Sequence, residues 1–341
     1  GYQAALNATD SSSNTFIGCD AAGLGVVTGG TNVGVGNGVL YDLTSGAGNI
    51  AMGYRAGYNL TTAAGNTILG TQAVGTGILT GANNVVIGKL AGDNMTSAAA
   101  NVIIGEDAGA AQTQASNNIL IGQGAGEAIT TGGDNIFIGT ASGDGHDAET
   151  NNIGIGKAAL GASINGGEYN VAVGNNTLDA LTSGDNNVAI GYNAGTALTT
   201  SNDNVLIGYN AAENATTLAE NVVIGHEAMG TGVATSGYNV AIGKEAALQA
   251  TSMSESTIIG YQAGEQCTTA SHVIFIGYTA GDDHDTENHN LGIGTSALGG
   301  AVAGGEYNVA IGNYTLDALT TADYNTAVGY QAGSGLTTGV S

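Results

Sequence analysis

The chain has 341 residues, of which only four are basic and 28 are acidic, for a net charge of -24. That balance excludes nucleic acid and an anionic membrane as partners, because nothing is present to neutralise phosphate. An apolar fraction of 42% that recurs periodically argues against disorder, sixty glycines without the every-third-residue rule exclude collagen, and no apolar run is long enough to insert in a membrane.

In chain order, one glycine returns at Gly1, Gly18, Gly36, Gly53, Gly70, Gly88 and onward to Gly329, at intervals of 17 or 18 residues. An unbroken short period of this kind predicts a solenoid, each repeat one coil stacked on the last. The reading is all-β: a parallel β-solenoid of 17–18-residue coils, a single continuous repeat domain over residues 1–341. At roughly 4.8 Å per coil, its twenty coils would make a rod of about 95 Å. The register begins and ends mid-coil, which reads as a piece of a longer chain.

Within each coil the strand is written just before the glycine. The residue preceding it is aliphatic (Ile17, Val35, Met52, Leu69) and the residue three before it is aliphatic or β-branched (Thr15, Val33, Ile50, Thr67). Residues two apart share a face, so these two columns are expected to fill the coil interior. The position between them then points outward, yet it too is apolar: Phe16, Gly34, Ala51, Ile68, Phe137, Gly154, Phe275, Gly292. An apolar strip of that length exceeds what a soluble monomer exposes, so the column is expected to meet copies of itself at a homotrimer axis. Each phenylalanine is followed one coil later by glycine (Phe16 by Gly34, Phe137 by Gly154, Phe275 by Gly292), as close packing of large against small requires.

Four residues before the marker stands asparagine in seventeen of nineteen coils, Ser256 and Val273 being the exceptions. It is expected to take a left-handed corner and to form an amide ladder between coils. After the glycine, the next residue varies freely and faces solvent, alanine dominates three on, and apolar residues return seven on (Leu43, Leu60, Met95, Leu181). Cys267 falls in that last column and reads as a buried, inert thiol. A second period of 138 residues, Gly18 to Gly156 to Gly294, marks blocks of eight coils.

The phrase Asn186-Asn-Val-Ala-Ile-Gly-Tyr-Asn-Ala-Gly195 resembles the head repeats of trimeric autotransporter adhesins and the repeats of bacteriophage tail fibres. The resemblance covers essentially the whole chain, although the adhesin-head repeat is shorter than this coil. It implies a homotrimeric fibre that is extracellular, on a cell surface or a virion, and that projects or adheres to a host glycan or receptor.

Two acidic runs are the best candidates for chemistry. Asp144, Asp147 and Glu149, and one block later Asp282, Asp285 and Glu287, would suit a hard cation such as Ca²⁺; the competing reading is a solvated acidic loop, since the calcium-loop spacing is incomplete. Sequons at Asn7, Asn59, Asn94 and Asn214 lie six residues after a marker glycine and place N-glycan acceptors on loops. Broken threonine columns (Thr61-Thr62, Thr199-Thr200) and surface tyrosines (Tyr54, Tyr192, Tyr209) suggest an alternative, a monomeric solenoid that binds ice or a glycan; a self-polymerising filament subunit is another. Catalysis is not expected. The six-residue aliphatic period of hexapeptide acyltransferases is broken by Asp93, Glu127 and Asp144, and one arginine, Arg55, leaves little to hold an anionic substrate. No cofactor other than Ca²⁺ is implied.

Overall fold

The computed structural model describes residues 1–9, 12–162, 166–300 and 304–338. It contains two compact units, Gly1–Asn170 and Val171–Ser341, built from the same coil. The first carries nine strands, from β1 (Thr15–Ile17) to β9 (Ile153–Ile155), and the second carries ten, from β10 (Val171–Val173) to β19 (Thr326–Val328). Each strand has three residues and pairs in parallel with its neighbour in the same unit. Val85, Val86 and Ile87 face Val102, Ile103 and Ile104 in the first unit, and Val188, Ala189 and Ile190 face Val205, Leu206 and Ile207 in the second. Among the described residues there is no helix.

The strand is short because the marker glycine ends it. Gly191 has φ +140°, a backbone region closed to residues with a Cβ, and a Cβ built there would overlap the Gly208 carbonyl one coil on. A turn follows in which the second and fourth residues after the glycine are left-handed, whatever their type: Asn176 (φ 55°) and Leu178 (φ 51°), or Gln72 and even the β-branched Val74 (φ 50°). Such conformations cost on the order of 1–2 kcal/mol each. They persist because the stack fixes them: the Leu178 N–H donates to Ala194 O at 3.1 Å and the Val74 N–H to Ala91 O at 3.0 Å.

A third left-handed residue stands just before the asparagine column, for example Asn186 (φ 58°) and Asp203 (φ 58°). The asparagine itself is therefore not the corner residue. It forms the expected ladder. Asn204 Oδ1 accepts from the backbone N–H (3.0 Å) and the Nδ2–H (3.2 Å) of Asn221, whose Nδ2 also donates to Ser236 O at 3.1 Å. These amides are buried and bonded on both ends, which is what burial of a polar side chain demands. Where asparagine is missing, Ser256 still accepts the Val273 N–H at 3.3 Å, while Val273 has no side-chain acceptor to pass the ladder on.

The core corrects the expected facing of the strand. The middle strand residue points inward and is buried in all but the first and last strand, whereas no residue of the two flanking columns is buried. The coil interior is completed by the residues three, seven and ten after the glycine, such as Ala194, Leu198 and Ser201 around Leu206, or Ala56, Leu60 and Ala63 around Ile68. Because strand side chains alternate, a shift of one position exchanges the two faces completely. Both sets being apolar, periodicity alone did not distinguish them.

Phe137, Gly154, Phe275 and Gly292 are therefore core residues of a single chain, not residues of a trimer axis, and so are Gly34 and the half-buried Phe16. The alternation of large and small still has the expected cause. Phe137 is in register with Gly154, where a Cβ would lie 3.0 Å from the ring, and Phe275 with Gly292, where it would lie 3.1 Å away. Gly143 and Gly281 open the other side of each ring in the same way. Gly191→Ala is expected to destabilise the second unit by at least about 3 kcal/mol, since backbone strain and overlap add; a denaturant midpoint unchanged from that of the parent chain would contradict this.

Candidate association face

Two columns of mainly β-branched residues, one on either side of each strand centre, form the outer surface of the sheet. Ile17, Ile50, Met52, Ile155, Ile190, Ile274 and Ile311 are all more than a third exposed, and Ile17 reaches 58%. β-Branched side chains suit an exposed pleated surface in their backbone preference, but an apolar strip repeated in every coil is not typical of a free surface. In each unit this face is continuous from coil to coil because the strands are in register.

Polar and aromatic columns border the strip. On the side after the glycine, Tyr192, Tyr209 and His226 stack at 5.5 and 5.1 Å, Lys244 Nζ lies 5.5 Å from the Tyr261 ring, and Tyr261 stacks on Tyr278 at 5.2 Å. On the side before the asparagine, His272, His289, Tyr307 and Tyr324 stack at 4.8, 4.7 and 5.1 Å. Both ladders belong to the second unit. Their near-parallel rings cover one another, so only ring edges and the terminal rings are presented outward. Stacking onto a sugar needs a free ring face. The stacked tyrosines thus offer little to a glycan, whereas Tyr54 stands outside the stacks with Arg55 5.3 Å from its ring.

The threonine column is also committed to the stack. Thr44, Thr96, Thr113, Thr182, Thr199 and Thr251 each donate their hydroxyl proton to the backbone carbonyl one coil on, at 2.9–3.1 Å. Hydroxyls held in this way brace coils; they do not form a free array for ice.

The acidic runs do not assemble a cation loop. Asp147 is exposed and accepts from Thr130 Oγ, while Glu149 is buried and turns inward, Oε2 accepting the Asp147 and Ala148 N–H groups at 2.9 and 3.1 Å and Oε1 the Gly166 N–H at 3.1 Å. Asp285 and Glu287 repeat this arrangement with Thr268, the Asp285 and Thr286 N–H groups, and Gly304. Among the described residues, neither Asp144 with Asp147 and Glu149, nor Asp282 with Asp285 and Glu287, brings three ligand atoms together. The burial of Glu149 and Glu287 was missed at the sequence level, as was that of His146 and His284 three residues before them; counting seven residues from Gly139 and Gly277 places both histidines in the largely apolar column.

One other group, His226, Glu227 and Glu245, brings three ligand atoms within 4.8 Å of one another. Lys244 Nζ lies 2.9 Å from Glu245 Oε1, and Gln262 donates to its Oε2 at 2.8 Å. The Lys244 hydrogen bond holds the Glu245 carboxyl below its usual range, so that carboxylate already has its cation. Among the sequons, Asn94 and Asn214 are exposed and Asn7 and Asn59 half-buried; Asn59 Nδ2 donates to Thr76 O at 2.9 Å and Asn214 Nδ2 to Gly230 O at 2.8 Å. Cys267 is fully buried and its thiol is pushed up by burial, as its column implies.

The chain matches no protein-family model, and the search of curated proteins finds no significant relative. Phe137→Ala and Phe275→Ala are each expected to cost about 3–5 kcal/mol, as core truncations do. If the rings instead served contacts between copies, the same substitutions would lower the native mass and leave the stability of the isolated chain almost unchanged.

Proposed function

We propose that this chain is a structural, non-catalytic segment of an extracellular fibre, of the bacteriophage tail-fibre or cell-surface adhesin kind, assembled as a homotrimer. Its work is mechanical: it holds a binding tip, which engages a host glycan or receptor, at a fixed distance from its anchor. The observation that carries this reading is the aliphatic face running through every coil. Such a face is stable in water when copies of itself cover it, and closed rotational symmetry covers all of it at once. Three sheets turned inward around one axis bury both flanking columns and leave the bordering tyrosines, lysines and acids at the rim, where an interface is normally polar.

The wording of the repeat, Asn-Val-Ala-Ile-Gly, supports the same reading through its resemblance to fibre and adhesin-head repeats. The non-catalytic part rests on the placement of potential bases. His146 and His284 have no access to solvent, and the rings of His226 and His272 face Glu227 (3.6 Å) and Glu255 (3.2 Å). Among the described residues no serine or cysteine is hydrogen-bonded to a histidine ring, the pairing that activates such a nucleophile, which supports this part of the reading.

Light scattering of the native chain at moderate salt tests the proposal. The expected mass is three times that of one chain, and Ile190→Glu combined with Ile207→Glu is expected to lower it to one. A monomeric parent chain overturns the trimer; a large, polydisperse mass favours a self-polymerising filament.

A further inference from the structure

Each unit holds one histidine where its fold has no polar side chain to offer. His146 and His284 stand seven residues after Gly139 and Gly277, in the column that holds Leu43, Leu60, Met95, Ile129, Leu181 and Leu198 and, in one coil, Gln112, whose Nε2 donates to Ala115 O. Both are fully buried, and among the described residues neither ring nitrogen of either has a hydrogen-bond partner of good geometry. Each ring packs instead on a phenylalanine, His146 on Phe137 at 4.7 Å and His284 on Phe275 at 4.9 Å. A neutral imidazole tolerates this surrounding; an imidazolium, with two donors and a full charge, does not.

Three residues on, Glu149 and Glu287 tie their coil to the following one through Gly166 and Gly304. Glu149 is a buried countercharge that acts on His146, Glu287 holds the equivalent place in the sequence three residues after His284, and both are already held by backbone N–H groups. To meet them, the imidazolium leaves its phenylalanine or the carboxylate leaves the next coil; either movement opens the stack at that point.

We propose that His146 and His284 are acid-operated latches, one per unit, which keep their coils closed while neutral and open them locally when protonated. This inference depends on the coil core and not on the fibre reading; it holds equally for a monomer.

The sign follows from burial. Desolvation lowers His146 from its ordinary value to about 4, with Glu149 opposing weakly, and lowers His284 to about 3 against a weak opposing contact with the Leu298 backbone. An open coil exposes imidazole of ordinary basicity near 6.5. Closure is therefore undisturbed above about pH 6.5 and weakens as pH falls from there towards 4 and 3. The charged groups on the same and adjacent coils are Glu127 and Asp134 before His146, Asp144, Asp147 and Glu149 on its own coil and Lys157 and Glu168 after it; for His284 they are Glu265 before it, Asp282, Asp283, Asp285 and Glu287 on its own coil and Glu306 after it, with His272 and His289 also titratable. Of these, Asp282 is raised to about 6 by burial and by Asp283. Its protonation below about pH 6 acts in the opposite direction, so His146 gives the cleaner response.

Cys267 supplies a native probe for the second latch. It occupies the same column one coil before His284, and the neighbouring Thr268 N–H bonds Asp285 O at 3.0 Å, fixing the two coils side by side. In a Cys19→Ser background, labelling of Cys267 by dithiodipyridine, corrected with a free-thiol peptide, reads local opening directly. Amide exchange over residues 139–156, corrected for intrinsic rate, reads the first latch. Between about pH 7 and 4.5 exchange over 139–156 is expected to rise on the order of 50-fold, and labelling of Cys267 to rise several-fold, less because Asp282 opposes it. His284→Leu should abolish the rise at Cys267, and His146→Leu that at 139–156, with methionine as the second replacement where leucine fits poorly. Flat profiles in the otherwise native chain overturn the proposal whatever the variants do, as does a rise that survives both replacements.

Discussion

The coil-to-coil register is the constraint on which the rest of each unit depends. It is set by bonds from backbone to backbone and from asparagine to asparagine, each reaching one coil forward or back, as Asn204 does to Asn221 and Gly191 N–H does to Val173 O at 2.8 Å. Nothing in the coil is regular enough to stand alone: strands of three residues are separated by turns rich in left-handed residues. Only the stack makes Val74 or Leu178 acceptable in such a conformation. Stability in this architecture is a sum of repeats and their nearest-neighbour interfaces. The glycine at φ +140°, as at Gly191, is indispensable because it lets the carbonyl of the next coil approach where a side chain would stand.

A narrow interior follows from that register. Its walls are alanines and the strand centres, and its volume is balanced locally: a phenylalanine in one coil is accommodated by glycine in the next and by another glycine in the turn. Polar groups enter only when bonded, as the asparagine ladder is. Glu149 and Glu287 obey the rule through backbone donors. Among the described residues Gln112 Oε1 and Ser236 Oγ also lack a partner, but His146 and His284 are the buried imidazoles with neither ring nitrogen bonded, and for that reason they are where the fold is sensitive to protons. The outer face obeys the opposite logic, with uniform aliphatic columns, no size alternation, and stacked aromatic ladders along its borders in the second unit.

Much of this was legible in the sequence. The period, the parallel in-register strands, the turn glycine, the amide ladder and the buried Cys267 all follow from the columns, since each column holds one residue type for one physical reason. What the columns did not disclose was which apolar set faces inward. A strict alternation of apolar with polar would have decided it, but Asn187-Val-Ala-Ile-Gly191 is apolar at all three strand positions. The cue was present in variance: Phe137, Gly154 and Ala172 vary in size as a packed interior requires, while Val188 and Ile190 and their counterparts hardly vary at all. The acidic runs misled for a different reason, because Asp144-Gly-His-Asp-Ala-Glu149 looks like a solvated loop until its third and sixth residues are counted into buried columns.

The facing of the strand is the central claim, and cysteine placed at successive positions of one strand tests it most directly. In a Cys19→Ser background, Leu206→Cys and Ile207→Cys differ by one residue and, on this account, by a whole face. The expected result is that the thiol at position 206 stays silent to thiol reagents and forms no bridge, while the thiol at position 207 is trapped by mild oxidation as a disulfide between copies. A reactive or bridging thiol at 206 together with a protected, unbridged one at 207 would contradict the account and return the phenylalanine column to the outside.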